Sequence, residues 1–235
     1  MRKILNIAQK ELKILFRSSM AYIILVVSLL IFNYFFFLIL DENREASLRD
    51  VFQLMEFLFV FIVPLLTMKS FAEEKSTGTM EFLTTTPTSP TTIVLGKYFG
   101  NLLFFSFLLI LTFSYYFILE YFGEPDRLAI LSGYVGMWLE LAFFIAIGNM
   151  CSSFTKNQVV AAMTSYIVLF GLYFSMTVLK YVSGRASEMI QIFGTSSHLQ
   201  NFSNGLITTG DVVYYVSGIA GCLILTKLSL DFQSR

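Results

Sequence analysis

Six apolar segments, each close to or above the length needed to cross a bilayer, leave this chain few ways to fold. They cover approximately residues 20–40, 51–68, 98–122, 128–150, 158–181 and 212–230. About 20 apolar residues in a helix span the hydrocarbon core, where the backbone must satisfy its own hydrogen bonds. The pattern predicts an all-α integral membrane protein of six transmembrane helices in a single domain, 1–235. Composition agrees, with 56 % hydrophobic residues, 14 % charged residues and 26 phenylalanines in 235, and a mean hydropathy of +0.71. The formal net charge is zero, so bulk electrostatics provides no support for nucleic-acid binding.

An even number of spans places both termini on one side. Of the 16 lysines and arginines, eleven fall on the side of the termini. The other five, Arg44, Arg49, Arg127, Lys180 and Arg185, fall opposite. Basic residues favour the cytoplasmic side, so the termini and the loop at 69–97 are expected there, and the other face is acidic. Residues 1–18 mix Ile4, Leu5, Ile7, Ala8 and Leu12 with Arg2, Lys3, Lys10, Lys13 and Arg17. That is a basic amphipathic helix for the inner membrane surface, serving as a topology anchor or as a docking element. Its flanks do not match a cleaved signal segment, and it is read as retained. Residues 182–210 are too broken to span and predict short helices at the outer interface, with Asp211 capping the last span. Cys151 and Cys222 lack the spacing of a redox or metal motif, and no disulfide is expected.

The loop at 69–97 is the polar exception between spans. Glu73, Glu74 and Lys75 carry the second span into water and Gly78 breaks it. Met80, Phe82 and Leu83 give the next turn an apolar face, Pro87 stops it, and Ser89-Pro90 matches an N-cap with proline at the first helical position. Two readings stand: an ordinary solvated loop, or a short rigid helix that passes motion between a soluble motor and the bundle.

The residues Phe71-Ala72-Glu73-Glu74-Lys75, Gly78-Thr79, Glu81, Leu83, Pro87 and Gly96-Lys97 resemble the signature of type-2 ABC exporter permeases. Among them, the sequence is most similar to the permeases of the gliding-motility complex and of the nitrous-oxide-reductase maturation complex. The resemblance covers nearly the whole chain, including the stretch SSHLQNFSNGLITTGDVVYY before the last span. It implies a permease subunit in the bacterial cytoplasmic membrane, with a coupling helix docked on a separate ATPase at Glu73, Glu74, Gly78, Thr79, Glu81 and Leu83. ATP and Mg would be bound by two copies of that ATPase, and none by this chain. No GxxxxGK[ST] phosphate loop occurs in the sequence. Six spans make half a pathway, so a second permease chain, identical or paralogous, is implied. A periplasmic partner is a further candidate.

Within the spans, Glu56 and Glu140 are costly unless paired, protonated or facing a polar cavity. They are the internal polar-site candidates; the alternative is that Lys180, Arg185 or a tyrosine satisfies them near the outer interface. Asn33, Asn101 and Asn149 are expected to bond between helices, and Pro64 to kink the second span as a hinge or a packing irregularity. Ser217, Gly218 and Gly221 form a small-residue face for close packing within or between subunits. The aromatic run from Phe32 to Phe37 covers every helix face, so part of it meets lipid. Rival functions are a mechanical or assembly role without transport, and an intramembrane protease. For the second, His198 is the lone histidine, and neither Ser196 nor Ser197 lies in a nucleophile motif. The ten methionines are scattered as apolar filler rather than grouped as soft metal ligands.

Overall fold

A computed structural model describes residues 2–43, 47–79, 89–179 and 193–233. Among these the secondary structure is helical throughout. In chain order the helices are α1 (Arg2–Arg17), α2 (Ser19–Asn43), α3 (Arg49–Thr67), α4 (Lys69–Ser76), α5 (Pro90–Thr112), α6 (Ser114–Phe122), α7 (Arg127–Ser153), α8 (Gln158–Leu179), α9 (Thr195–Ser203) and α10 (Thr209–Gln233). Six stretches are long and apolar enough to cross a membrane: Ser19–Asp41, Arg49–Ser76, Pro90–Phe122, Arg127–Ser153, Gln158–Ser175 and Thr209–Phe232. The six-helix membrane architecture expected from hydropathy is present.

The second and third spans each contain one break. In the second, Pro64 lies inside α3 and Met68 separates α3 from α4, with the Met68 amide donating to the Pro64 carbonyl at 2.9 Å. In the third, Phe113 separates α5 from α6 without a proline, and the Tyr134 hydroxyl donates to the Thr112 carbonyl at 2.7 Å. A side chain thus contributes a donor where the regular ladder is interrupted.

Helix α7 is the most enclosed span and forms the axis of the bundle. Its glycines permit that position. A Cβ at Gly133 would stand 2.2 Å from a Phe52 ring carbon, one at Gly136 2.5 Å from Phe202 Cβ, and one at Gly148 2.1 Å from Thr67 Oγ1. Both ends of α3, and also α9, sit against α7 where it has no side chain. Phe52, Phe59, Phe105, Phe144 and Phe202 fill the core around it.

Contacts between α1 and α5 advance in step along both helices. Ile7 lies on Gly96, Glu11 on Gly100, and Phe16 on Phe104 and Phe107 with ring centroids 5.3 and 5.5 Å away. The two helices therefore run side by side in the same direction. Part of the apolar stripe of α1 packs on the third span, while Leu5 and Ile14 stay exposed.

Local signals in the sequence fix several helix ends. Ser89 caps α5, its Oγ accepting from the Thr92 amide at 3.3 Å, with Pro90 at the first position. Gly78 has φ +71°, the left-handed conformation that ends a helix after its last turn. Asp211 is a correction. The helix begins at Thr209, and it is the Thr208 hydroxyl that accepts from the Asp211 amide at 3.2 Å. Asp211 is the third helical residue, and its carboxylate is engaged by Thr208, His198 and Asn201 instead.

Candidate functional site

At the end of the bundle that holds the termini, the polar residues of α1, α4, α5 and α7 converge. Lys97 is 2 % exposed, and its Nζ stands 2.9 Å from both Glu11 Oε1 and Glu74 Oε1, with the Phe71 ring 5.4 Å away. One buried ammonium thus ties the N-terminal helix to the stem of the polar loop. A long side chain and two glycines explain how it reaches both. Gly96 and Gly100 bring α1 against α5, so the Nζ at the end of the lysine between them reaches Glu11 as well as Glu74.

The stem is held from its other side by α7. Ser152 Oγ accepts from the Phe71 and Ala72 amides at 3.1 and 3.0 Å and donates to the Met68 carbonyl at 2.9 Å. These amides belong to the first turn of α4, where a helix lacks its own acceptors. Lys75 Nζ donates to the Ser153 carbonyl, which also receives the Ser229 hydroxyl from α10 at 2.8 Å. Deeper, Asn101 Nδ2 donates to Ser70 Oγ at 2.8 Å and to Asn149 Oδ1 at 3.1 Å, the interhelical role expected of both asparagines. Replacing Ser152 with alanine should lower stability by about 1–3 kcal/mol, because buried amides and a carbonyl lose one shared partner. Denaturant titration of the purified chain in micelles measures this loss.

The residues expected to meet a motor are distributed along this stem. Glu73 and Thr79 are exposed, whereas Glu74 turns inward to Lys97. Gly78 forms the turn, over which Thr77 Oγ1 and Thr79 Oγ1 approach to 3.0 Å. Glu81 and Leu83 lie outside the described residues, as does most of the short helix anticipated after Gly78.

At the opposite end, Glu56 and Glu140 are each 1 % exposed, and their carboxyls are neighbours. Glu56 Oε1 accepts from Ser196 Oγ at 2.6 Å and from Thr195 Oγ1 at 3.3 Å. The Glu140 carboxyl faces Glu56 and Thr195 closely enough to interact, but neither of its oxygens has a partner in hydrogen-bonding geometry. The donors come from α9, which penetrates because Gly136 admits Phe202 and because Ser132 Oγ donates to the Phe202 carbonyl at 2.7 Å. Beside this cluster, His198 Nδ1 stands 2.6 Å from Asp211 Oδ1 and its ring stacks on Tyr214 at 4.1 Å. The Ser196 hydroxyl is directed at Glu56, which leaves no serine dyad of the protease kind at that residue. Lys180 and Arg185, named as alternative partners for the glutamates, lie outside the described residues.

Sequence reasoning found Glu56 and Glu140 but not Thr195 and Ser196, because contacts across 140 residues leave no local pattern. It also missed the Lys97 joint, for which a signal existed. A glycine pair four residues apart flanking a lysine at a span edge is a close-packing face with a charge at its centre. Of the other small residues, Gly218 packs against Phe143 within the chain, whereas Gly221 is open. Residues 5–221 match the family model described as ABC-2 family transporter protein. No curated protein matches the chain.

Proposed function

The chain belongs to the ABC-2 family of transporter proteins, and we propose that it is a permease subunit whose loop at 69–97 receives force from a separate ABC ATPase. Family membership already implies a multi-pass membrane component that works with such an ATPase. What carries the proposal further is the Lys97 joint. Exposed residues Glu73, Ser76, Thr77 and Thr79 form a tip on a stem that Lys97, Ser152 and Lys75 fasten to α1, α5 and α7. A push on that tip cannot be absorbed locally, since buried polar partners on three other helices would have to part or follow.

The remaining assignments follow from that reading. The tip lies in the cytoplasm with both termini, in the bacterial inner membrane, in keeping with the excess of basic residues on that side. Two ATPases, which hold ATP and Mg, serve two permease chains, identical or paralogous. Asn33, expected to bond between helices, is exposed on the apolar outer face of α2, beside Leu30 and Phe37, which supports a bond to a helix of a second chain. A polar side chain facing lipid is relieved by a neighbouring helix. Movement of an envelope component, as in gliding motility, is the cargo role nearest to the sequence resemblance. Pro64 is proposed as the hinge just above the stem.

The test combines Glu73→Arg with Leu83→Ala in the assembled complex. Copurification of the ATPase should fall at least tenfold while insertion of the permease into membranes is unchanged. Recovery of the ATPase at wild-type yield with normal ATP turnover would refute the coupling assignment.

A further inference from the structure

Glu140 is a completely enclosed carboxyl without a hydrogen-bond donor of its own. Four other helices contribute to its surroundings. From α3 comes Glu56, and from α9 Thr195 and Ser196. Tyr173 of α8 and Tyr214 and Tyr215 of α10 lie within electrostatic range of both glutamates. Asp211 follows one step further out, next to Tyr215 and paired with His198. Among the described residues no lysine or arginine forms an ion pair with either glutamate. A cleft of about 200 Å³ reaches Glu56 from the end of the bundle remote from the termini, bordered by Gln53, Tyr173, Ser196 and Gln200. Gln53 and Gln200 are exposed at its rim.

We propose that Glu56 and Glu140 form a proton-binding site that exchanges with the outer face of the membrane through this cleft. Two carboxylates side by side in the interior, with no cation paired to either among the described residues and no donor on Glu140, are costly when both are charged. A proton held between them supplies one donor and removes one charge, and the hydroxyls of Ser196 and Thr195 hold the oxygen of Glu56 on the cleft side. A second proton entering by the cleft takes the pair from one negative charge to none. Because two of the donors come from α9, any withdrawal of α9 from α3 changes how well the charged form is solvated. Proton occupancy and the position of the outer helix are thereby linked.

The test uses the full-length chain in lipid nanodiscs and dicyclohexylcarbodiimide, an apolar reagent that needs a protonated carboxyl to form its adduct. Peptide mapping should find the adduct on Glu56 or Glu140, with a labelling rate that falls at least tenfold between about pH 5 and pH 9. In Glu140→Gln the amide becomes a permanent donor to Glu56, and labelling of Glu56 should drop at least tenfold at every pH. Absence of any adduct on the wild-type pair overturns the proposal, as does a rate that does not change with pH. So does labelling that emerges only in Lys180→Gln or Arg185→Gln, since the chain would then neutralise the pair with its own cation. The wild-type titration decides the matter even if the glutamine variant fails to fold.

Discussion

Methionine at position 97 is expected to lower the stability of the permease by about 3–5 kcal/mol, because it leaves two carboxylates buried without their shared cation. Glu11 and Glu74 have side chains only 13 % and 19 % exposed, so water cannot fully replace Lys97 at either. Methionine keeps the apolar body of the lysine stem and removes the charge, which stands 5.4 Å from the centre of the Phe71 ring. The decisive comparison is the variant with Glu11→Gln and Glu74→Gln added. If charge burial is the cause, the triple variant recovers most of the lost stability, as replacement of whole buried ion networks often does. It should not recover coupling. With the links from α1 and α5 to the loop stem gone, ATP hydrolysis by the assembled complex should continue while transport or mechanical output falls at least tenfold. Denaturant titration reads the first effect, and the ratio of output to ATP turnover reads the second. Full output from the triple variant would show that Lys97 serves stability alone.

How much of this could be read from the sequence depends on the range of the interaction. Hydropathy located the spans because membrane insertion depends on the composition of roughly 20 consecutive residues. The caps at Ser89 and the turn at Gly78 were legible because the partners lie within four residues. Asp211 shows the limit of such local reading. An acid near a helix start is a reasonable cap, yet Thr208 occupies the capping position and the carboxylate bonds to His198 and Asn201 of α9. The buried pair was legible one residue at a time, since each carboxyl is anomalous at its depth. That the two meet, and that Ser196 closes over them, depends on Gly136 and Ser132 drawing α9 onto α7. The loop at 69–97 was visible as polarity between spans, whereas the attachment of its stem was not, because Lys97 and Glu11 are 86 residues apart.

The second large effect concerns the glycines that make this attachment possible, and its sign depends on position. Alanine at Gly100 would place Cβ 2.6 Å from Glu11 Cβ and 3.1 Å from the Ala8 carbonyl oxygen. At Gly96 it would meet Ile7 Cγ2 at 2.5 Å and Ile7 Cβ at 2.6 Å. A backbone oxygen cannot turn aside as a side-chain tip can, so Gly100→Ala should force α1 away from α5 and cost about 1–3 kcal/mol. Leucine at the same position should release α1 from the bundle and break the Lys97–Glu11 contact with it. At Gly171 and Gly221 an added Cβ meets nothing within 4 Å. There the same change to alanine removes only the backbone entropy cost of glycine in a helix and should stabilise by up to about 1 kcal/mol. Hydrogen exchange of the amides in Arg2–Arg17 separates the cases: faster in Gly100→Ala, fastest in Gly100→Leu, and unchanged in Gly171→Ala. Since the clash lies between α1 and α5, Gly100→Leu should also uncouple ATP hydrolysis from output as strongly as Lys97→Met. A coupled complex with α1 detached would instead show that the Lys97–Glu74 link to α5 and the Ser152 and Lys75 attachments to α7 carry the force without α1.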